Sequence, residues 1–292
     1  MILNAHRQHS RRFEDFKYVY PVLSRRSHGI SIGLNVNPDK ACNFDCIYCQ
    51  VDRTTESVVK KFDLAVAEEE LRAMLEMVRS GEIAEHAPFD SVPRELLRLN
   101  DIALSGDAEP TTLPNFASTI EMIARAKPSE AKIVLITDAG GLDRADVKRG
   151  LEIMDANNGE VWAKLDAGTE VYFKLINRTK IPFARILKNI TEAAKVRPIV
   201  IQSLFLKIRG EGPTNGEIMA YCQRLRDIGK INPARGGIKL VQIYTVARKA
   251  MTVVDGIPAW QFVSALSNEE VDAITERVRK EAGVKAESFY GG

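Results

Sequence analysis

Three of the chain's four cysteines fall within eight residues: Cys42, Cys46 and Cys49, spaced C-x3-C-x2-C. Thiolates this close together hold iron–sulfur clusters or zinc. A closed structural zinc site takes four ligands, commonly as two separated pairs. Here there is one triplet and no second pair. The fourth cysteine, Cys222, falls in a stretch read as a helix over 216–228. It shares a face there with Ile218, Leu225 and Gly229, where a free cysteine acts as a small core hydrophobe. Three thiolates on a four-iron cluster leave one iron without a protein ligand. An open position on a redox metal is a place for a cofactor or a substrate.

The elements that must position this loop follow a regular rhythm. An apolar, β-branched run from Ile30 to Val36 reads as a strand, and the cysteines sit on the loop that leaves it. Further strand starts fall near 101, 132, 160, 199 (the last read as one strand, Ile199–Ile208) and 238, each followed by helical periodicity. Continuous apolar strands alternating with amphipathic helices predict a parallel sheet covered by helices. Six βα units rather than eight fit a partial barrel; a doubly wound open sheet is the alternative that periodicity leaves standing. Such folds place their chemistry where strands end. Ser105-Gly106-Asp107-Ala108-Glu109-Pro110, Thr137-Asp138 and Asp166 stand at those ends. Each acid also has a plainer reading: Glu109 as a helix-start acid, Asp138 and Asp166 as N-caps. Asp63 and the Ser267–Glu270 capping box mark two helix starts. The run Glu68–Glu70 reads as a solvated helix face, and His86 as a surface side chain. Gly210–Gly216 spaces its glycines wrongly for a dinucleotide loop and reads as a turn.

Lys and Arg total 41 against 39 acids, a net charge of +2, so a chain-wide electrostatic footprint for nucleic acid is absent. Locally, residues 1–28 carry Arg7, Arg11, Arg12, Lys17, Arg25 and Arg26 against Glu14 and Asp15, with His6, His9 and His28. That stretch reads as a solvated N-terminal arm; phosphate contact is the sharper alternative. No apolar stretch reaches membrane-spanning length, and the N-terminus lacks a secretory apolar region. Clustered cysteines in a chain of this size read as a metal or redox site in a reducing compartment, which places the protein in the cytoplasm.

The triplet with aromatic Tyr48 before its third cysteine resembles the radical S-adenosylmethionine (SAM) superfamily. Ser105–Pro110 is similar to that family's Gly-Gly-Glu-type motif, although Asp107-Ala108 precedes the acid here. Lys164-Leu165-Asp166-Ala167, the Ile-Asn-Arg ending at Arg178, Gln202–Phe205 and Val241–Arg248 resemble a subgroup related to the wyosine-forming tRNA enzymes. The resemblance implies an α/β partial (β/α)6 TIM-like barrel over residues 29–250, with the basic arm at 1–28 and a C-terminal helical extension, 251–292, packed on the barrel. It implies that Cys42, Cys46 and Cys49 bind a 4Fe-4S cluster and that SAM chelates the open iron. Tyr48 would lie beside the adenine and Glu109 would accept from the SAM ammonium. Thr137, Asp138 or Asp166 would meet the ribose, with Asp166 favoured. Reductive cleavage of SAM would then yield a 5′-deoxyadenosyl radical that abstracts hydrogen from a substrate.

The resemblance further implies an external electron donor of flavodoxin or ferredoxin type. It leaves a small-molecule, peptide or tRNA substrate open. The wyosine-forming enzymes carry a second cluster on additional N-terminal cysteines, and residues 1–41 contain none. A tRNA or RNA base-modifying enzyme remains an alternative. So, in a different class, does a non-catalytic iron–sulfur electron-transfer or zinc-binding protein.

Overall fold

The computed structural model describes residues 3, 5, 11–230 and 236–291. His6, Arg7 and His9, expected in the arm, lie outside the described residues. In chain order the elements are β1 (Val19–Ser24), β2 (Gly29–Leu34), α1 (Leu64–Ser80), β3 (Leu99–Leu104), α2 (Phe116–Ala126), β4 (Lys132–Thr137), α3 (Ala145–Ala156), β5 (Gly159–Lys164), α4 (Glu170–Asn177) and α5 (Phe183–Val196). There follow β6 (Pro198–Leu204), β7 (Leu206–Ile208), α6 (Asn215–Gly229), β8 (Gly237–Tyr244), β9 (Val253–Val254), β10 (Ile257–Pro258), β11 (Val263–Ala265), α7 (Asn268–Arg277) and β12 (Ala286–Phe289). The class is the expected one: α/β, with the partial (β/α)6 repeat built on β2, β3, β4, β5, β6 and β8.

The described chain divides into two compact units. The first holds residues up to Ala41, Ser57–Ile136 and Arg144–Glu160. Its sheet pairs β2, β3 and β4 in parallel, with β1 antiparallel to β2. Ile30, Ile32 and Leu34 of β2 are all fully buried, which is why that strand reads as an apolar run. β1 lies inside the stretch read as an arm. Val19, Tyr20 and Leu23 bury there, and Pro21 is tolerated because β1 is an edge strand. Asp63 caps α1, accepting from the N–H groups of Ala65 and Val66, and Gly81 closes the helix in the left-handed region.

Glu70 departs from the solvated face expected for it. Its buried carboxylate accepts the N–H groups of Lys17 (2.8 Å), Tyr18 (2.9 Å) and Val19 (3.1 Å) and so fixes the start of β1. A carboxylate can be buried at such a place because three donors replace its water. His86 pairs with Glu14 at 2.8 Å.

The second unit holds Cys42–Glu56, Thr137–Asp143 and Val161–Gly292. Its strands β5, β6, β8 and β12 run parallel. The strand expected over Ile199–Ile208 divides at Phe205, whose N–H bonds to the Tyr244 carbonyl; β7 then turns away to pair antiparallel with β11. On α6, Ile218, Tyr221, Cys222, Leu225 and Ile228 face the core, so Cys222 packs as an apolar residue. The 210–216 segment is a turn, with Thr214 capping α6. Ser267 and Glu270 form the expected capping box on α7. Among the described residues no helix is long and apolar enough to cross a membrane.

Candidate cluster-binding site

The cysteine loop lies wholly within the second unit and is anchored from three directions. The N–H groups of Asp45 and Ile47 donate to the carbonyls of Asn177 (3.2 Å) and Ile176 (2.9 Å). These carbonyls end α4 and have no partner within the helix, so the loop itself caps α4. Thr179 Oγ1 donates to the Asn43 carbonyl at 2.8 Å, and Arg178 pairs with Asp45 at 3.1 Å. Phe44 meets Phe173 edge-on with centroids 5.7 Å apart, and Phe173 stacks on Phe183. From a second side, the Met251 N–H donates to the Cys49 carbonyl (2.7 Å) and the Thr252 hydroxyl to the Cys46 carbonyl (2.9 Å).

The turn after β4 supplies the third anchor. Thr137 Oγ1 accepts from the Ala139 N–H (3.0 Å) and Asp138 Oδ1 from the Gly140 N–H (2.7 Å), while Asn189 of α5 donates to the Ala139 carbonyl (2.8 Å). A Cβ on Gly140 would stand 2.9 Å from Asn43 Nδ2, so the turn approaches the loop only with glycine there. Thr137 and Asp138, expected as ribose contacts, thus use these oxygens to shape their own turn.

Each thiol has a polar neighbour. Arg53 Nη1 donates to Cys49 Sγ at 3.3 Å, Asn177 Nδ2 to Cys46 Sγ at 3.5 Å, and Cys42 Sγ to Asn43 Oδ1 at 3.7 Å. Burial pushes the Cys46 thiol up to about 12; Asp166 adds to this, and Lys164, Asn177 and Tyr48 oppose it. A bound cation takes the thiolate and removes that penalty.

Asp166 is the polar centre beneath the loop. Its Oδ1 accepts from the Leu204 N–H (2.9 Å) and faces Lys164 Nζ at 3.5 Å. Its Oδ2 accepts from the Tyr48 hydroxyl and from Asn177 Nδ2 (3.1 Å). Both oxygens are engaged by the chain's own donors in this structure. Burial first, and then Asp166, raises Tyr48 well above the ordinary phenol value, so the phenol stays protonated and donates.

Lys164 points inward, with Nζ 2.7 Å from Tyr244 Oη and 5.0 Å from the Tyr48 ring centre. Burial alone would lower its amine. Asp166 and Tyr244 outweigh that, and the group is held above its usual value as a cation.

Glu109 belongs to the first unit. There it caps a short 3-10 turn, Pro110–Thr112, with Oε1 accepting from the Thr111 N–H (3.0 Å) and hydroxyl (2.6 Å). Asn35 and Arg11 hold the adjoining Asp107 at 2.7 and 2.6 Å.

The contacts made by Asn177 and Arg53 carry no expectation from sequence. Asn177 lies 131 residues from Cys46, a distance no motif spacing bridges. Arg53 had a readable signal: Asp52-Arg53-Thr54-Thr55 is an Asx turn, with Asp52 accepting from the Thr54 N–H (2.8 Å) and from both threonine hydroxyls (2.6 Å each).

A cysteine loop supported by strand-end residues of an α/β fold is suited to hold a metal–sulfur centre. The family model for the radical SAM superfamily matches residues 36–222, more than half of the chain, and the chain belongs to that superfamily. The superfamily uses a 4Fe-4S cluster and SAM. A UPF0026 protein of Methanocaldococcus jannaschii is 28% identical over 158 residues, covering 54% of this chain and 43% of its own. The chain spans less than half the length of the curated relatives it matches. Among solved structures, TYW1 with a lysine-pyruvate adduct bound has a TM-score of 0.55 at 14% identity, covering 87% of this chain and 74% of that one. A spore photoproduct lyase mutant with bound AdoMet has a TM-score of 0.56 at 9% identity, covering 94% and 79%. These likenesses show the fold.

The residues present fit such a cluster. One cysteine triplet with no second pair suits a four-iron cluster, which takes its thiolates on different irons, better than a closed four-ligand zinc site. Cys222, buried near Glu281, Arg277 and Arg226, is not a fourth ligand. Asn177 donates through Nδ2 to Cys46 Sγ and Tyr48 Oη, and its side-chain oxygen is buried with no hydrogen-bond partner. Leaving such an acceptor empty costs about 1–3 kcal/mol, which a ligand's donor would offset.

Proposed function

We propose that this chain is a radical SAM enzyme whose cluster is held by Cys42, Cys46 and Cys49. The observation that carries the reading is Asn177, whose Nδ2 donates to Cys46 Sγ while its side-chain oxygen is buried without a partner. When bound, the cluster and SAM supply a one-electron cleavage that yields a 5′-deoxyadenosyl radical able to take hydrogen from a substrate.

The chain's own residues do the positioning. Asp166 fixes the Tyr48 hydroxyl and so orients the ring proposed to meet the adenine. Lys164 balances Asp166 in a low-dielectric pocket. Asn177 turns its amide N–H groups toward Cys46, Tyr48 and Asp166, which leaves its buried oxygen to accept from a ligand. Glu109 is proposed for the SAM ammonium on its motif alone. The reductant is an external one-electron donor of flavodoxin or ferredoxin type.

For the substrate, a small molecule or peptide is favoured over tRNA. Arg11 of the basic stretch is already committed to Asp107, and the net charge is only +2.

Iron and sulfide analysis after anaerobic reconstitution tests the reading. About four irons and four sulfides per chain are expected, lost in Cys42→Ala, Cys46→Ala and Cys49→Ala but kept in Cys222→Ala. One zinc and no sulfide would overturn it.

A further inference from the structure

Arg53 stands four residues after the last cysteine of the triplet, and its guanidinium reaches back over the loop to Cys49 Sγ at 3.3 Å. The Asx turn on Asp52 sets the backbone that aims it.

Resting on the cluster reading above, we infer that Arg53 is a positioning residue that sets the cluster's reduction potential, acting through the Cys49 sulfur. Adding an electron to an iron–sulfur cluster increases the negative charge on its sulfurs. A fixed cation donating an N–H to one of those sulfurs therefore stabilises the reduced state more than the oxidised one. Net charge and hydrogen bonds to sulfur are what tune such potentials. The residue type matters too. A guanidinium is charged at all working pH values and holds its donors in a rigid plane, so it keeps both contributions without a proton to lose. With Arg53 in place the cluster is easier for a weak biological donor to reduce.

The test is an EPR-monitored redox titration of the full-length, reconstituted protein, with iron and sulfide content measured on each sample. In Arg53→Met the reduced-to-oxidised ratio at a given solution potential should fall at least tenfold, a midpoint lower by about 59 mV for one electron. Arg53→Lys, which keeps charge but not the planar donor, should shift by less. Arg53→Gln, which keeps a donor but not the charge, should fall between the two. A fully loaded Arg53→Met with the wild-type midpoint overturns the inference. If Arg53→Met fails to load, an unshifted midpoint in Arg53→Lys and Arg53→Gln overturns it, because the residue would then only hold the loop. A wild-type chain that takes up no cluster fails the proposed function itself, an outcome distinct from a loaded variant with an unmoved potential.

Discussion

Asp166→Asn preserves the shape of the side chain and removes its charge. Two sets of donors now converge on the carboxylate: the Leu204 N–H and Lys164 on one oxygen, Asn177 Nδ2 and the Tyr48 hydroxyl on the other. An amide turned either way sets its own NH2 against one of those sets. At least one buried donor loses its acceptor, at about 1–3 kcal/mol. Lys164 also loses its counter-charge; breaking a buried pair costs about 3–5 kcal/mol. This pair is long, at 3.5 Å, and the Lys164 side chain keeps 19% exposure, so the lower end applies. The total is about 4 kcal/mol, a large part of a typical domain's stability. Urea unfolding followed through Trp162, buried in β5 two residues before Lys164, reads it. For a slope of about 3 kcal/mol/M the midpoint falls by about 1.3 M. Lys164→Met in the same background should recover part of the loss, with a coupling of at least about 1 kcal/mol. An Asp166→Asn midpoint within about 0.2 M of wild type, or strictly additive single costs, would refute the reasoning.

Three further outcomes are expected. Glu70→Ala strands the N–H groups of Lys17, Tyr18 and Val19, and should cost about 3 kcal/mol, read as a lowered Tm; Glu70→Gln should cost less because one acceptor survives. Gly168→Ala puts a methyl 2.1 Å from the Tyr221 backbone nitrogen of α6, where backbone must shift; a loss of about 3 kcal/mol or more in thermal unfolding is expected, and a neutral outcome would show the approach is not tight. Burial first, then Glu281, pushes the Cys222 thiol up to about 11 from an ordinary value near 9. The unfolded chain then loses this proton first, so the stability Cys222 contributes is intact below about pH 9 and lost as pH rises toward 11. The alkaline decline should be shallower in Cys222→Ala, compared by unfolding midpoints across that range.

Six of the strands were legible because both their faces are buried, which writes near-continuous apolar runs into the sequence. β1 was not: its six residues, Val-Tyr-Pro-Val-Leu-Ser, sit among arginines and carry a proline, which the chain allows only because the strand is an edge. The four residues of β12 are too few and too polar to signal a strand, and they pair with β8 for reasons of position. The division at Phe205 was hidden because β6 and β7 are both apolar.

At the site, the cysteine spacing is local and could be read directly. The Asp166 hub is not local: its partner Tyr48 is 118 residues away. Sequence marked Asp166 as a strand-end acid but could not count the donors that converge on it. Glu70 shows the same limit, since a run of three glutamates reads as solvated until three distant N–H groups are found on one of them.

Formation of 5′-deoxyadenosine tests the central claim most directly. The anaerobically reconstituted protein is incubated with SAM and dithionite, and product is quantified against Cys46→Ala prepared in parallel. The wild-type chain should release 5′-deoxyadenosine and the variant none. A wild-type protein with a full complement of iron and sulfide that forms no product, or a Cys46→Ala variant that forms as much, would contradict the assignment.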